Sequence, residues 1–210
     1  MKLAELAKMV PSNGLFRTGQ ILSGQQFPAH VRRQLDRWVK SSQVIQLRRG
    51  VYALGSPYAS VQPHPFAVAG ALRKASYVSL QSALSHYGMI PEYVPAVTCV
   101  TTNRPEEFDT PLGRFLFRHV AIVRFFGFRE IEVSPDQHAL IATPAKALVD
   151  LLYLTAHSDN PEYLRELRLT RPDTLTSHDL RIAAGEMRSG KVERSVERLI
   201  AIWQREEVLE

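Results

Sequence analysis

The sequence predicts an α+β protein, in which an N-terminal winged helix-turn-helix is followed by a mixed α/β domain with terminal helices. Three features carry that expectation. An apolar-striped basic segment, residues 28–42, runs into two short β-prone runs around Arg48-Arg49-Gly50. A stretch punctuated by Pro57, Pro63 and Pro65 then separates this N-terminal quarter from the rest. Beyond it, β-branched and aromatic runs between residues 94 and 142 give way to helical patterns that continue to the end. The expected division is a DNA-binding domain at 1–55, a linker at 56–65 and a second domain at 66–210. Three prolines favour a semi-rigid spacer over a floppy tether.

Each element follows from spacing. Leu3, Leu6, Ala7 and Val10 recur at helical intervals, and Pro11 ends the helix they define. Ser12-Asn13-Gly14 is a turn, Leu15-Phe16-Arg17 a short extended segment, and Thr18 the N-cap of a brief helix through Leu22. Gly24, Gln25 and Gln26 connect it to the next helix, whose first turn accommodates Pro28. There Val31, Leu35, Trp38 and Val39 form an apolar face, and His30, Arg33, Arg37 and Lys40 lie opposite, with Arg32 on the flank. Residues 44–47 and 51–54 read as strands joined by a turn in which Gly50 takes positive φ.

The second domain opens with a helix at 66–74. Another follows at 79–88, with Ser79 as N-cap and Gly88 just past its end. Strands are expected at 94–102, 115–123 and 131–133, with a polar loop at 104–110. Thr143-Pro144 is an N-cap followed by proline at the first helical position, opening the apolar helix AKALVDLLYL. Helices near 162–169, 177–188 and 192–208 complete the chain, and the stripe Val192, Val196, Leu199, Ile200 and Trp203 reads as core, with a face that docks another protein as the alternative.

Charge is distributed unevenly. Residues 1–54 hold nine Lys/Arg against Glu5 and Asp36, a net of +7, whereas the remaining 156 residues carry 17 basic and 19 acidic side chains. A polyanion would therefore be drawn to the N-terminal quarter. Cys99 is the only cysteine, so neither an intramolecular disulfide nor a cysteine-based zinc site forms, and a reducing cytoplasm is the expected compartment. No apolar run reaches the roughly 18 residues of a membrane span, and residues 1–10 lack the pattern of a secretory signal.

No phosphate loop, GxSxG elbow, HExxH pair or GxGxxG fingerprint occurs, and the seven histidines share no metal-ligand spacing. No cofactor, metal or catalytic residue is expected. Glu106, Glu107 and Asp109 read as a solvated loop. Asp150 lies in an apolar helix and needs a partner; Lys146, one turn earlier, supplies the candidate pair.

Three segments, in order, carry a resemblance: RRGVYAL at 48–54, the SLQSALSHYG helix at 79–88, and TPAKALVDLL at 143–152. Together they resemble the AbiEi-type antitoxins of type IV toxin–antitoxin, or abortive infection, systems. The likeness covers roughly Arg17 to Leu154. It implies phage defence, an N-terminal domain that binds inverted repeats in its own promoter and represses the operon, and a C-terminal domain that counteracts a nucleotidyltransferase-like toxin.

On this reading residues 28–42 lie in the major groove of double-stranded DNA. His30, Arg33, Gln34 and Arg37 are the candidates for base edges, with Arg32 beside them. Arg17, Thr18, Lys40, Arg48 and Arg49 are the candidates for phosphates. The main alternative is a stand-alone regulator whose second domain senses a ligand or another partner, which requires an apolar pocket with a few converging polar groups.

Overall fold

The computed structural model describes residues 2–22 and 28–207; the expected connection at Gly24–Gln26 and the residue Val208 lie outside the described residues. The architecture is α+β, with nine α-helices and two sheets among the described residues. Two compact units form. The first comprises the described residues up to Lys74 with Glu107–Phe115 and Ile131–Ala139; the second comprises Ala75–Glu106, Leu116–Glu130 and the residues from Leu140 onward.

The first unit begins with α1 (Leu3–Met9), β1 (Leu15–Arg17), α2 (Thr18–Leu22) and α3 (Pro28–Lys40). β2 (Val44–Arg48) and β3 (Val51–Leu54) follow as a hairpin, and β1 pairs antiparallel with β3 on its other side. The sheet order is β1-β3-β2. Strand alternation sends Tyr52 and Leu54 to one face, where they join Phe16 and Val44. Leu3 and Leu6 of α1, Ile21 of α2, and Val31, Leu35 and Trp38 of α3 close over them. Phe16 stacks on Tyr52 with ring centroids 5.5 Å apart. Gly50 has φ +80, as the tight turn requires.

Residues 56–65 are docked rather than free. Tyr58 and Ala59 pack against the same core. Buried Gln137 accepts from the His64 N–H at 2.7 Å and donates to the Gln62 carbonyl at 3.2 Å. Gly55 permits the return of the chain: a Cβ there would lie 2.2 Å from the Ser42 carbonyl oxygen. The helix α4 (Pro65–Leu72) follows, capped by the His64 imidazole, which accepts from Phe66 N–H.

The second unit is built on α5 (Leu80–His86), α6 (Pro144–Leu154), α7 (Pro161–Glu166), α8 (Ser177–Glu186) and α9 (Gly190–Glu207) with strands of a six-stranded mixed sheet. The six strands of that sheet are β4 (Ser76–Val78), β5 (Ala96–Thr101), β6 (Glu106–Thr110), β7 (Gly113–His119), β8 (Phe128–Ser134) and β9 (Gln137–Ala142), in the order β6-β7-β5-β4-β9-β8, and Glu107–Phe115 and Ile131–Ala139 among them belong to the first unit. β4 is antiparallel to β5 and parallel to β9. The expected polar loop at 104–110 is largely a strand. Its half-buried positions Glu106, Phe108 and Thr110 alternate with exposed Glu107 and Asp109, and Arg114 pairs with both exposed acids. Period-two alternation outweighs the charge of the segment. The expected strand through Val123 ends at His119 and gives way to a 3-10 turn at Ile122–Arg124.

Thr143 caps α6 as expected, accepting from Lys146 N–H, with Pro144 in the first turn. At α9, Val192, Val196, Leu199, Ile200 and Trp203 are buried, so the stripe is core. Lys191 donates to the carbonyls of Tyr153 and Thr155 and satisfies the end of α6.

At the centre lies a buried ion pair. Lys146 Nζ donates to Asp150 Oδ1 at 2.6 Å and to the Arg124 carbonyl at 2.8 Å, and contacts Met187 Sδ at 3.2 Å. Its charge also lies 4.0 Å from the Phe126 ring centroid. Asp150 Oδ2 accepts from Tyr77 Oη at 2.9 Å and Ser79 Oγ at 2.8 Å. Asp150 receives three donors, and Lys146 uses its donors on three acceptors, which is the pattern of a charged pair. Burial raises the Asp150 carboxyl and lowers the Lys146 ammonium, and their mutual attraction opposes both shifts. Removing one partner leaves the other charge buried. Lys146→Met is therefore expected to cost about 3–5 kcal/mol and to cost much less in an Asp150→Asn background. Urea unfolding followed by Trp203 fluorescence in a Trp38→Phe protein measures the coupling; strictly additive changes would contradict it.

Candidate nucleic-acid interface

α3 sorts its side chains by helical periodicity. Val31, Leu35 and Trp38 face the core of the first unit, leaving His30, Arg32, Arg33, Arg37 and Lys40 exposed and Gln34 half-buried. At about 100° per residue, Arg33 and Lys40 stand at the middle of the outward surface. His30, Gln34 and Arg37 lie toward one flank and Arg32 and Asp36 toward the other. Arg37 and Lys40 also occupy the last turn of α3, where cations favour the helix dipole.

The hairpin turn comes to the Arg32 flank. Thr18 N–H, at the start of α2, donates to the Gly50 carbonyl at 3.1 Å and fixes the turn against the helices. Between them is a cleft of about 460 Å³, to which Thr18, Arg32, Gln46 and Arg49 contribute polar groups. Asp36 lines it too, one of the two acids in residues 1–54. Its position was readable in advance: one helical turn after Arg32 is the same flank.

Arg17 and Arg48 are placed differently. Both are register partners of Val51, one on each side of β3, so their side chains share the sheet face opposite Tyr52 and Leu54. Arg17 Nη2 donates to the Ala71 carbonyl of α4 at 2.6 Å. Arg48 lies over Phe108, 5.7 Å from the ring centroid, and its Nε is buried without a hydrogen-bond partner. Burial and the nearby Arg48 charge both lower the Arg17 guanidinium from its ordinary range. Of the ten candidate residues, the structure thus brings Thr18, Arg32 and Arg49 around one cleft and keeps His30, Arg33, Gln34, Arg37 and Lys40 on α3. It engages Arg17 and Arg48 within the unit.

Among the described residues no three His, Cys, Asp or Glu side chains converge as a metal site, and no helix is long and apolar enough to cross a membrane. Burial raises the Cys99 thiol well above its ordinary value, so it stays protonated. No known protein-family model matches the chain, and no curated protein matches it.

The placement separates the arginines by role. Arg17→Ala is expected to lower stability by about 1–2 kcal/mol, the range for a hydrogen bond from a charged group less its solvent exposure. Arg49→Ala is expected to stay within about 0.5 kcal/mol, as for an ordinary surface change. Thermal unfolding of the two variants reads the difference; equal effects would contradict the assignment.

Proposed function

We propose that this protein is a DNA-binding antitoxin whose residues 1–55 form a winged helix-turn-helix. That domain represses its own operon by binding inverted repeats in the promoter, and the domain at 66–210 counteracts a nucleotidyltransferase-like toxin. The observation that carries the DNA-binding half is the cleft flanked by Arg32 and Arg49 beside the exposed cations of α3. A recognition helix with a hairpin at its flank is the arrangement in which the helix reads a major groove and the hairpin follows the backbone. The net charge of +7 in residues 1–54 agrees with a polyanionic partner.

In this reading Arg33, Arg37, Gln34 and His30 face base edges: arginine reaches guanine O6/N7, and glutamine pairs with adenine N6/N7. Lys40, Arg32, Arg49 and Thr18 hold phosphates, and Arg17 and Arg48 add charge while bracing the sheet. The antitoxin half rests on the resemblance of residues 48–54, 79–88 and 143–152 to that family. A second reading, a regulator that senses a ligand, draws support from a polar-rimmed apolar cavity in the second unit.

Titration of promoter DNA and of unrelated DNA at two salt concentrations tests the first half. Arg33→Ala is expected to relax preference at one base position by ~1–3 kcal/mol. Arg49→Ala should weaken both DNAs alike and reduce the salt slope by about one. Unchanged binding in both variants would remove the winged-helix reading. For the second half, co-expression of the full chain with a toxin encoded beside it should show growth rescue. Failure of the full chain to rescue would leave the ligand-sensing regulator as the better account.

A further inference from the structure

The second unit contains a cavity of about 650 Å³ that the proposed DNA interface does not use. It forms where the helix layer meets the sheet. Ser82 N–H donates to Thr98 Oγ1 and Ser82 Oγ to the Ala96 carbonyl, which seats α5 on the face of β5 carrying Ala96 and Thr98. Leu116 and Arg118, alternate residues of β7, line the same cavity as Ala96 and Thr98. Leu151 and Leu154 from the end of α6 form part of its opposite wall. At its margin Leu80 takes φ +58, a left-handed conformation costly for a side chain with a branched body.

Of the two charged side chains Glu92 and Arg118 at this cavity, only the cation is left without an internal ion pair. Glu92 is paired with Arg168 at 2.9 Å. Arg118 has no carboxylate within ion-pair distance among the described residues. His119 Nδ1 lies 2.9 Å from the Asn103 carbonyl, which can only accept, so Nδ1 carries the proton and Nε2 of the neutral ring is an acceptor, leaving Arg118 as the donor for an anion. The remaining lining is dominated by leucine, isoleucine, valine and proline. Cavities of this size with an apolar body and a few converging polar groups suit small molecules.

We propose that this cavity is a binding site for a small amphipathic anion, its carboxylate or phosphate head on Arg118 and its apolar body over Leu116, Ile90 and Leu154. The site stands independently of the DNA-binding reading, because occupancy is measured on the chain alone. The full-length chain is titrated calorimetrically with decanoate and with decyl phosphate, each below its micelle concentration, and with decanol as the uncharged control. Saturable binding of at least one anion at one site per chain is expected, and the tighter of the two distinguishes a carboxylate from a phosphate head. Exposed Arg118→Gln should weaken that anion at least tenfold and leave decanol unchanged. Absence of saturable anion binding, equal affinity for anion and decanol, or unaltered anion binding in the Arg118→Gln variant would overturn the proposal. So would a Leu116→Arg protein that sediments as a monomer where the parent is a dimer and neither anion binds, because the cavity would then be an interface between copies.

Discussion

The second unit depends on one carboxylate. Asp150 stands in the middle of α6, and its two oxygens collect Lys146 from its own helix, Tyr77 from β4 and Ser79 from the lead into α5. Lys146 extends the set to the 3-10 turn through the Arg124 carbonyl and to the residue after α8 through Met187. Sheet, helix layer and connecting turn are thereby tied at one point. An apolar replacement of similar volume would pack as well, yet it would fix no register between them. Within this unit the pair supplies orientation, which hydrophobic burial, being non-directional, does not.

That network also explains an expectation that half succeeded. Ser79 occupies the N-cap position of α5, as its residue type suggests, but its hydroxyl makes no capping bond. The hydroxyl serves Asp150, and Thr98 Oγ1 receives the Ser82 N–H instead. Local propensity named the position, while a contact 71 residues away decided the chemistry. The pairing of Asp150 with Lys146 was legible because both lie one turn apart on a single helix. Tyr77 and Ser79, 73 and 71 residues distant, had no local signal. The strand at 106–110 was hidden for a related reason. Four of its positions are charged or hydroxylated, and Arg114, which pairs with Glu107 and Asp109, is recognisable as a partner only once the strand is known.

The arginines of the first unit show where reading by type gives out. Arg48 and Arg49 are adjacent, and charge alone treats them alike. Strand parity separates them: Arg48 pairs with Val51 across the hairpin and shares its face, whereas Arg49 belongs to the turn. Arg17 joins the Arg48 side through the same Val51. Once β3 is recognised as the central strand, the alternation Val51, Tyr52, Ala53, Leu54 assigns these faces without coordinates. What alternation could not supply is the destination, since Ala71 and Phe108 are 54 and 60 positions from Arg17 and Arg48.

The strongest case for a working surface on α3 is that its cations do not all suit the helix that bears them. Arg37 and Lys40 occupy the last turn, where the dipole welcomes positive charge, so structure alone accounts for them. Arg32 and Arg33 do not share that benefit. They stand in the second turn, after a first turn without any acid to offset the positive helix end, and Arg33 meets a like charge one turn on at Arg37. Asp36 lines the cleft on the Arg32 flank, and Arg33 faces outward. A helix selected only for stability would carry acids near its start. The reversed pattern spends local stability on a concentrated positive surface, and the Thr18–Gly50 bond brings a further arginine, Arg49, to its edge. An anionic partner seated along that surface would relieve the repulsion that the free chain sustains.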